Sequence, residues 1–277
     1  MNTRTRSHYL PIAIVSLLAI SCGAVGERRT YTVEKTFPAS AIHRIEIREI
    51  NGNLKVEAGT DDKISLVAQI RSRREQPTKN ANENYGFFRS EVDGDSLTVA
   101  RTRERKKLHF WDTDDITIDY SLRVPPRVAL DLNTVNGRIA TTGVNGPTQV
   151  ATTNGLIELE TSGVNEVSAK TVNGRVKARF LETFQGASLK TVNGDVEMVL
   201  PKSASFACDL TQVNGDFEAS FPLSIRSNPG SRRVSGEVNG GKYELKISTV
   251  NGDIEVQNGG TPPPPPTPPA PPSGETR

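Results

Sequence analysis

The residues able to do chemistry in this chain are few, and most of them recur at a fixed offset. Asp195, Glu197, Asp216 and Glu218 form two Asp-x-Glu pairs. Carried on consecutive turns of a repeating fold, they would lie about 5 Å apart. Such a set of oxygens suits a hard cation such as Ca²⁺. The simpler reading is a solvated charged face. Arg175 and Lys177 hold the same offsets one repeat earlier, placed for cross-strand ion pairs with Asp195 and Glu197. The GGxGxDxUx repeat of Ca²⁺-binding solenoids is absent. Two basic clusters, Arg71, Arg73, Arg74 and Arg101, Arg103, Arg105, Lys106, Lys107, suit anionic headgroups or acidic polysaccharide, or simply solvated loops.

No catalytic residue emerges. There is no GxSxG elbow, no HExxH and no P-loop. Cys22, Cys208, His43 and His109 are too scattered in sequence to build a structural zinc site. Cys208 stands two before Leu210, so strand parity turns it inward as a buried thiol. A polysaccharide-acting parallel β-helix enzyme could use carboxylates beside arginines. Here, however, the charged columns follow the repeat and mark no unique site. No cofactor is expected.

Composition narrows the partners. The 277 residues carry 34 Lys plus Arg against 32 Asp plus Glu, net +2. That balance does not favour a phosphate-tracking surface, so nucleic acid is not an expected partner. Aromatics are 5% of the chain, too sparse for stacking platforms.

The amino terminus reads as an export leader. Arg4 and Arg6 precede the apolar run LPIAIVSLLAI at residues 10–20, the length of a signal-peptide core and too short to span a bilayer. The run ends in Ser21-Cys22, which resembles a lipoprotein signal with Cys22 as the acylated residue. Ordinary cleavage after Ala24 is the alternative. The expectation is an extracytoplasmic protein, either lipid-anchored in the cell envelope or periplasmic or secreted.

The organising signal is a repeat. Asn-Gly occurs ten times, where random placement gives about 1.5. Around it runs the consensus [LIVA]-x-T-V-N-G-x-[IVF]. Four residues before the Asn come Ile47, Leu132, Val150, Ala169, Leu189, Leu210 and Ile247. Two after the Gly come Leu54, Ile139, Ile157, Val176, Val196, Phe217 and Ile254. The local period is two, that of strands with one buried face. Alternation breaks at T-V-N-G, so a corner belongs there, and Asn and Gly both tolerate positive φ. Hairpins reverse direction and do not demand the same residue at every corner. A coil stacks like on like. The fold class expected is therefore all-β, a parallel β-solenoid with coils of about 20 residues. Its structural asparagine ladder comprises Asn136, Asn154, Asn173, Asn193, Asn214 and Asn251, stacked in sequence order.

The chain then divides into a signal peptide (1–21), an irregular β-rich start of the solenoid (22–128), the regular Asn-Gly solenoid (129–258) and a disordered Pro-rich tail (259–277). The irregular stretch 231–241 and the charged last strand are expected to cover the open end.

The TVNGD(V/I)E copies, the segment RVPPRVALDLNTVNGRI and the lipoprotein-like leader together resemble the bacterial β-strand-repeat family labelled "putative adhesin", a domain of unknown function. The resemblance implies a parallel β-solenoid in an envelope protein and supplies no catalytic residue. The functional expectation is a non-catalytic envelope structural or binding module, adhesin-like, meeting an envelope component or surface glycan. The alternative is the carbohydrate-active β-helix enzyme.

Overall fold

The computed structural model describes residues 16–20, 29–59, 62–73, 87–102, 116–221, 223–228 and 231–259. Cys22, Arg74, the basic run 103–107, His109 and the Pro-rich tail lie outside the described residues. Among those described, all regular structure is strand except one 3-10 turn, Ala39–Ala41.

Two eleven-stranded sheets face each other. The leading sheet holds the strands that precede each Asn-Gly corner: Arg44–Arg48, Ala129–Asn133, Thr148–Ala151, Val167–Lys170, Ala187–Lys190, Tyr243–Asn251 and Phe206–Asn214. The trailing sheet holds those that follow: Leu54–Ala58, Ile139–Thr142, Ile157–Thr161, Val176–Phe180, Val196–Pro201, Ile254–Gly259 and Phe217–Ala219. Neighbours in both series run parallel and in register, for example Val176 beside Val196 and Ala169 beside Leu189. The fold is solenoid-like. Hydrogen-bonded corner asparagines are 18, 19 and 20 residues apart along the central run.

Period-two patterning fills the space between the sheets. Ile139, Ile157, Val176 and Val196 are fully buried from the trailing sheet, opposite Leu132, Val150, Ala169 and Leu189 from the leading one. Away from the corner, Phe180, Phe184, Phe206 and Phe221 form an edge-to-face chain with ring centroids 5.1, 5.8 and 5.3 Å apart.

The ends are antiparallel. Arg29–Pro38 pairs with Lys63–Ser72, which pairs with Ile116–Val124. Ser16–Ile20, within the apolar leader run, pairs with the outer side of Arg29–Pro38. At the other end, Ser224–Asn228 and Ser231–Val238 form a hairpin that finishes the leading sheet.

The stacking order departs from sequence order. Asn251 bridges Asn193 on one side, while Asn214 pairs with Asn251 on the other. The last strand pair, Tyr243–Asn251 with Ile254–Gly259, thus lies inside the array between the Asn193 and Asn214 corners. The hairpin, not the charged last strand, ends the leading sheet. The cause is connectivity: the chain leaves one coil-width open after Val196–Pro201 and returns to fill it.

Candidate functional site

Each letter of the corner motif answers to one contact. The carbonyl of a corner glycine points into the next corner, where the Thr hydroxyl donates to it. Thr134 donates to Gly52 O (3.2 Å), Thr152 to Gly137 O (3.2 Å), Thr171 to Gly155 O (3.3 Å), Thr191 to Gly174 O (3.0 Å) and Thr249 to Gly194 O (3.1 Å). In the Asn214 corner, Gln212 replaces Thr and its side-chain amide donates to Gly252 O at 2.7 Å. A Cβ on the glycine of the receiving corner would overlap that same carbonyl. Close approach fixes glycine here, including at Gly155, which has no positive φ. None of the corner asparagines has positive φ either. Asparagine is there for its amide, because each one after Asn51 donates to its neighbour's side-chain oxygen at 2.8–2.9 Å, and Asn51 accepts from Asn136. The ladder runs from Asn51 through Asn136, Asn154, Asn173, Asn193 and Asn251 to Asn214.

The residue before each asparagine faces solvent. Ile50, Val135, Val172, Val250 and Val213 are 38–43% exposed, and Thr153 and Val192 are half-buried. Seven rows at strand spacing give a ridge about 29 Å long. Repetition aligns it along the stack, beside the amide ladder. Scattered exposed valines need no explanation, whereas this row aligns six aliphatic side chains, interrupted at Thr153.

Charge on the trailing-sheet flank changes sign along the ridge. Arg138 pairs with Glu158. Arg175 reaches Asp195 (2.8 Å) and Glu197 (3.1 Å), and Lys177 reaches Glu197 (2.7 Å). The Asp195 carboxylate also accepts the backbone N–H of Asp253 at 3.1 Å. That bond, reinforced by Arg175, holds its pKa below the ordinary range. Asp253 in turn accepts the N–H of Asp216 at 2.8 Å.

The two acidic pairs do not form a quartet. Glu255 stands between Glu197 and Glu218 in register, and Asp253 lies between Asp195 and Asp216. The inserted last strands separate them. The result is a run of six carboxylates rather than a coordination cage. Among the described residues, no group of three or more His, Cys, Asp or Glu is arranged to hold a metal ion. A cavity of about 590 Å³ opens beside this run where Phe217–Ala219 stops short. Phe217, Phe221, Leu223, Glu218 and Glu255 line it, and among the described residues no Arg or Lys does.

One corner carries a buried charge. Glu49 occupies the Thr position of the Asn51 corner, and its side chain is fully buried. Its Oε1 accepts the N–H groups of Ile50 (2.9 Å) and Asn51 (3.3 Å) and lies 3.2 Å from the Arg101 guanidinium. Among the described residues, Oε2 and the Tyr120 hydroxyl have no hydrogen bond of good geometry, and the two side chains interact with each other. Burial pushes the Glu49 carboxyl pKa up against those bonds, and burial together with Glu49 pushes Tyr120 well above its ordinary value. The neighbour on that side is Ile116–Val124, which brings no corner glycine; the carbonyl of Ile118 lies where a glycine carbonyl lies in the other corners, and a Cβ on Gly52 would overlap it. Arg71 pairs with Asp119. Cys208 is buried, and burial raises its thiol pKa.

The consensus carries a valine before each asparagine but assigns it no surface. The signal was available: Thr at minus two is buried, so minus one points out. Glu49 was visible as the odd member of a threonine column.

The Toastrack DUF4097 family profile matches residues 128–257. This stretch is a Toastrack domain. It covers the regular corners from Asn136 onward, while the Asn51 corner lies upstream of it. The family's function is unknown. No curated protein matches the chain. Several solved structures are similar to this chain at low identity. A "putative cell adhesion protein" from Clostridium sporogenes has 9% identity over 83% of this chain and all of its own, with TM-score 0.44. A "putative lipid binding protein" from Parabacteroides distasonis has 14% identity over 83% and 97%, with TM-score 0.34. A "putative adhesin" from Bacteroides fragilis has 11% identity over 82% and 96%, with TM-score 0.27. Among the described residues, no helix is long and apolar enough to cross a membrane.

Proposed function

We propose that this protein is a non-catalytic binding module of the bacterial cell envelope, and that it meets its partner along the Asn-Gly edge. The observation that carries this reading is the aligned row of Ile50, Val135, Val172, Val250 and Val213, exposed beside an amide ladder that fixes its spacing. Rigidity matters because a pre-ordered surface loses little entropy on binding. The chain is exported by its leader and held at the membrane by lipid on Cys22. Its coils of about 20 residues act as a stiff display, with an envelope component or surface glycan as the partner.

The test is capture of envelope fractions and surface glycans by the purified chain, compared with the triple variant Val135→Ser, Val172→Ser, Val250→Ser. These side chains point outward, so the variant keeps its melting temperature to within a few degrees. Loss of capture supports the edge as the contact surface. Undiminished capture by a folded triple variant overturns it. A mature terminus at Val25 in mass spectrometry would overturn lipidation.

A further inference from the structure

The out-of-order last strands occupy a slot whose walls are built entirely from residues that precede them. One wall is Ala187–Lys190 with Val196–Pro201, and the other is Phe206–Asn214 with Phe217–Ala219. Residues 243–259 pair parallel with both walls in both sheets. They also complete the corner chemistry on both sides. Asn251 donates to Asn193 and accepts from Asn214, each at 2.8 Å. Thr249 donates to Gly194 O, and Gln212 donates to Gly252 O. Without this segment, four strand edges and two ladder positions lose their partners, a strong drive to recruit a strand with this motif.

The segment is tethered by a short turn. Ser231–Val238 lies antiparallel to Phe206–Asn214 on its outer side, and Tyr243–Asn251 lies parallel to it on its inner side. Four residues, 239–242, must carry the chain over the end of that strand. Three of them, Asn239, Gly240 and Gly241, have φ of 50°, 88° and 63°. Asn239 is the one non-glycine positive φ among the described residues. Its amide is pinned to Ala204 O at 2.8 Å, and Ser205 Oγ bonds Asn239 O (2.7 Å) and Lys242 N (3.0 Å). A short hinge that must double the chain back, with a non-glycine residue held at positive φ, relaxes when the chain runs straight on, and short hinges invite exchange of identical elements between copies.

We propose that residues 243–259 are an exchangeable strand pair: two copies of this chain can trade the segment, each slot being filled by the other's. The occupant is a second copy because the slot reads parallel register, an asparagine at the ladder position and a glycine carbonyl for Gln212. The segment supplies all of these.

The experiment uses full-length chains with Cys22→Ser and Cys208→Ala. Lys190 and Ser248 are register partners across the slot wall, at a spacing a disulfide can bridge. Lys190→Cys and Ser248→Cys chains are unfolded together, refolded at high concentration and oxidised. A disulfide-linked heterodimer is expected, at several times the yield from Lys190→Cys with Gln149→Cys, positions two strands apart. Four Gly/Ser residues inserted after Gly241 should lower that yield several-fold. The double variant Lys190→Cys, Ser248→Cys in one chain, oxidised when dilute, should close internally and so report that the register folds. Internal closure combined with heterodimer yield no greater than the control would overturn the proposal.

Discussion

Thr171 and Gly174 are both dictated by one oxygen, the carbonyl of Gly155. The threonine hydroxyl donates to it at 3.3 Å, and a Cβ on Gly174 would overlap it. The two substitutions therefore separate cleanly. Thr171→Val should cost about 1 kcal/mol, one lost hydrogen bond. Gly174→Ala should cost well over about 3 kcal/mol, because the obstacle is backbone that cannot rotate away. Urea unfolding of both variants checks the order, and a tolerated Gly174→Ala would mean the corners are looser than described.

The asparagine ladder predicts a position-dependent cost. Asn173 both donates to Asn154 and accepts from Asn193, whereas Asn214, at the end, only donates, to Asn251. Asn173→Ala should lose about 1–2 kcal/mol and Asn214→Ala about half of that. Equal melting-temperature shifts would deny the ladder an energetic role.

Facing is tested by adjacent residues. Val196 is fully buried, so Val196→Asp should prevent folding by burying an unpaired charge. Glu197 makes exposed pairs with Arg175 and Lys177 and lies beside Glu255. Glu197→Lys should therefore stay within about 1 kcal/mol of the parent. Circular dichroism and thermal melting distinguish the two.

Glu49 should make stability depend on pH. Its folded pKa is raised above 4.5, chiefly by burial. The folded state therefore holds the proton more tightly than the unfolded chain. The contribution is complete below 4.5 and fades as pH rises through the folded value. Measured against Glu49→Gln, the parent should lose relative stability on going from pH 4.5 to neutral. A flat difference between the two would show that Arg101 and the backbone donors already offset the burial.

Glu255 stands between Glu197 and Glu218. Glu255→Gln should stabilise by a few tenths of a kcal/mol, about the size of a like-charge cross-strand pair. The gain should shrink in 1 M salt, where screening reaches a few ångströms. A salt-independent gain would point to packing instead.

Much of this was legible in the sequence, because a repeat reports its own geometry. Period-two alternation around an invariant corner specifies strands, their buried faces, parallel stacking and the alignment of Arg175 over Asp195, since identical units one strand apart must place like beside like. What the sequence could not carry was the order of stacking at the end of the array. Every copy of T-V-N-G fits beside every other, so local pattern gives no preference for Asn214 or Asn251 as the neighbour of Asn193. That choice rests on the hairpin at Ser231–Val238 and the four-residue turn after it, which bring the chain back into the open slot. The same return places Asp253 and Glu255 between the two acidic pairs. The reason for glycine at the corner was also hidden: it lies in a carbonyl from a neighbouring coil, a contact that exists only once the coils are stacked.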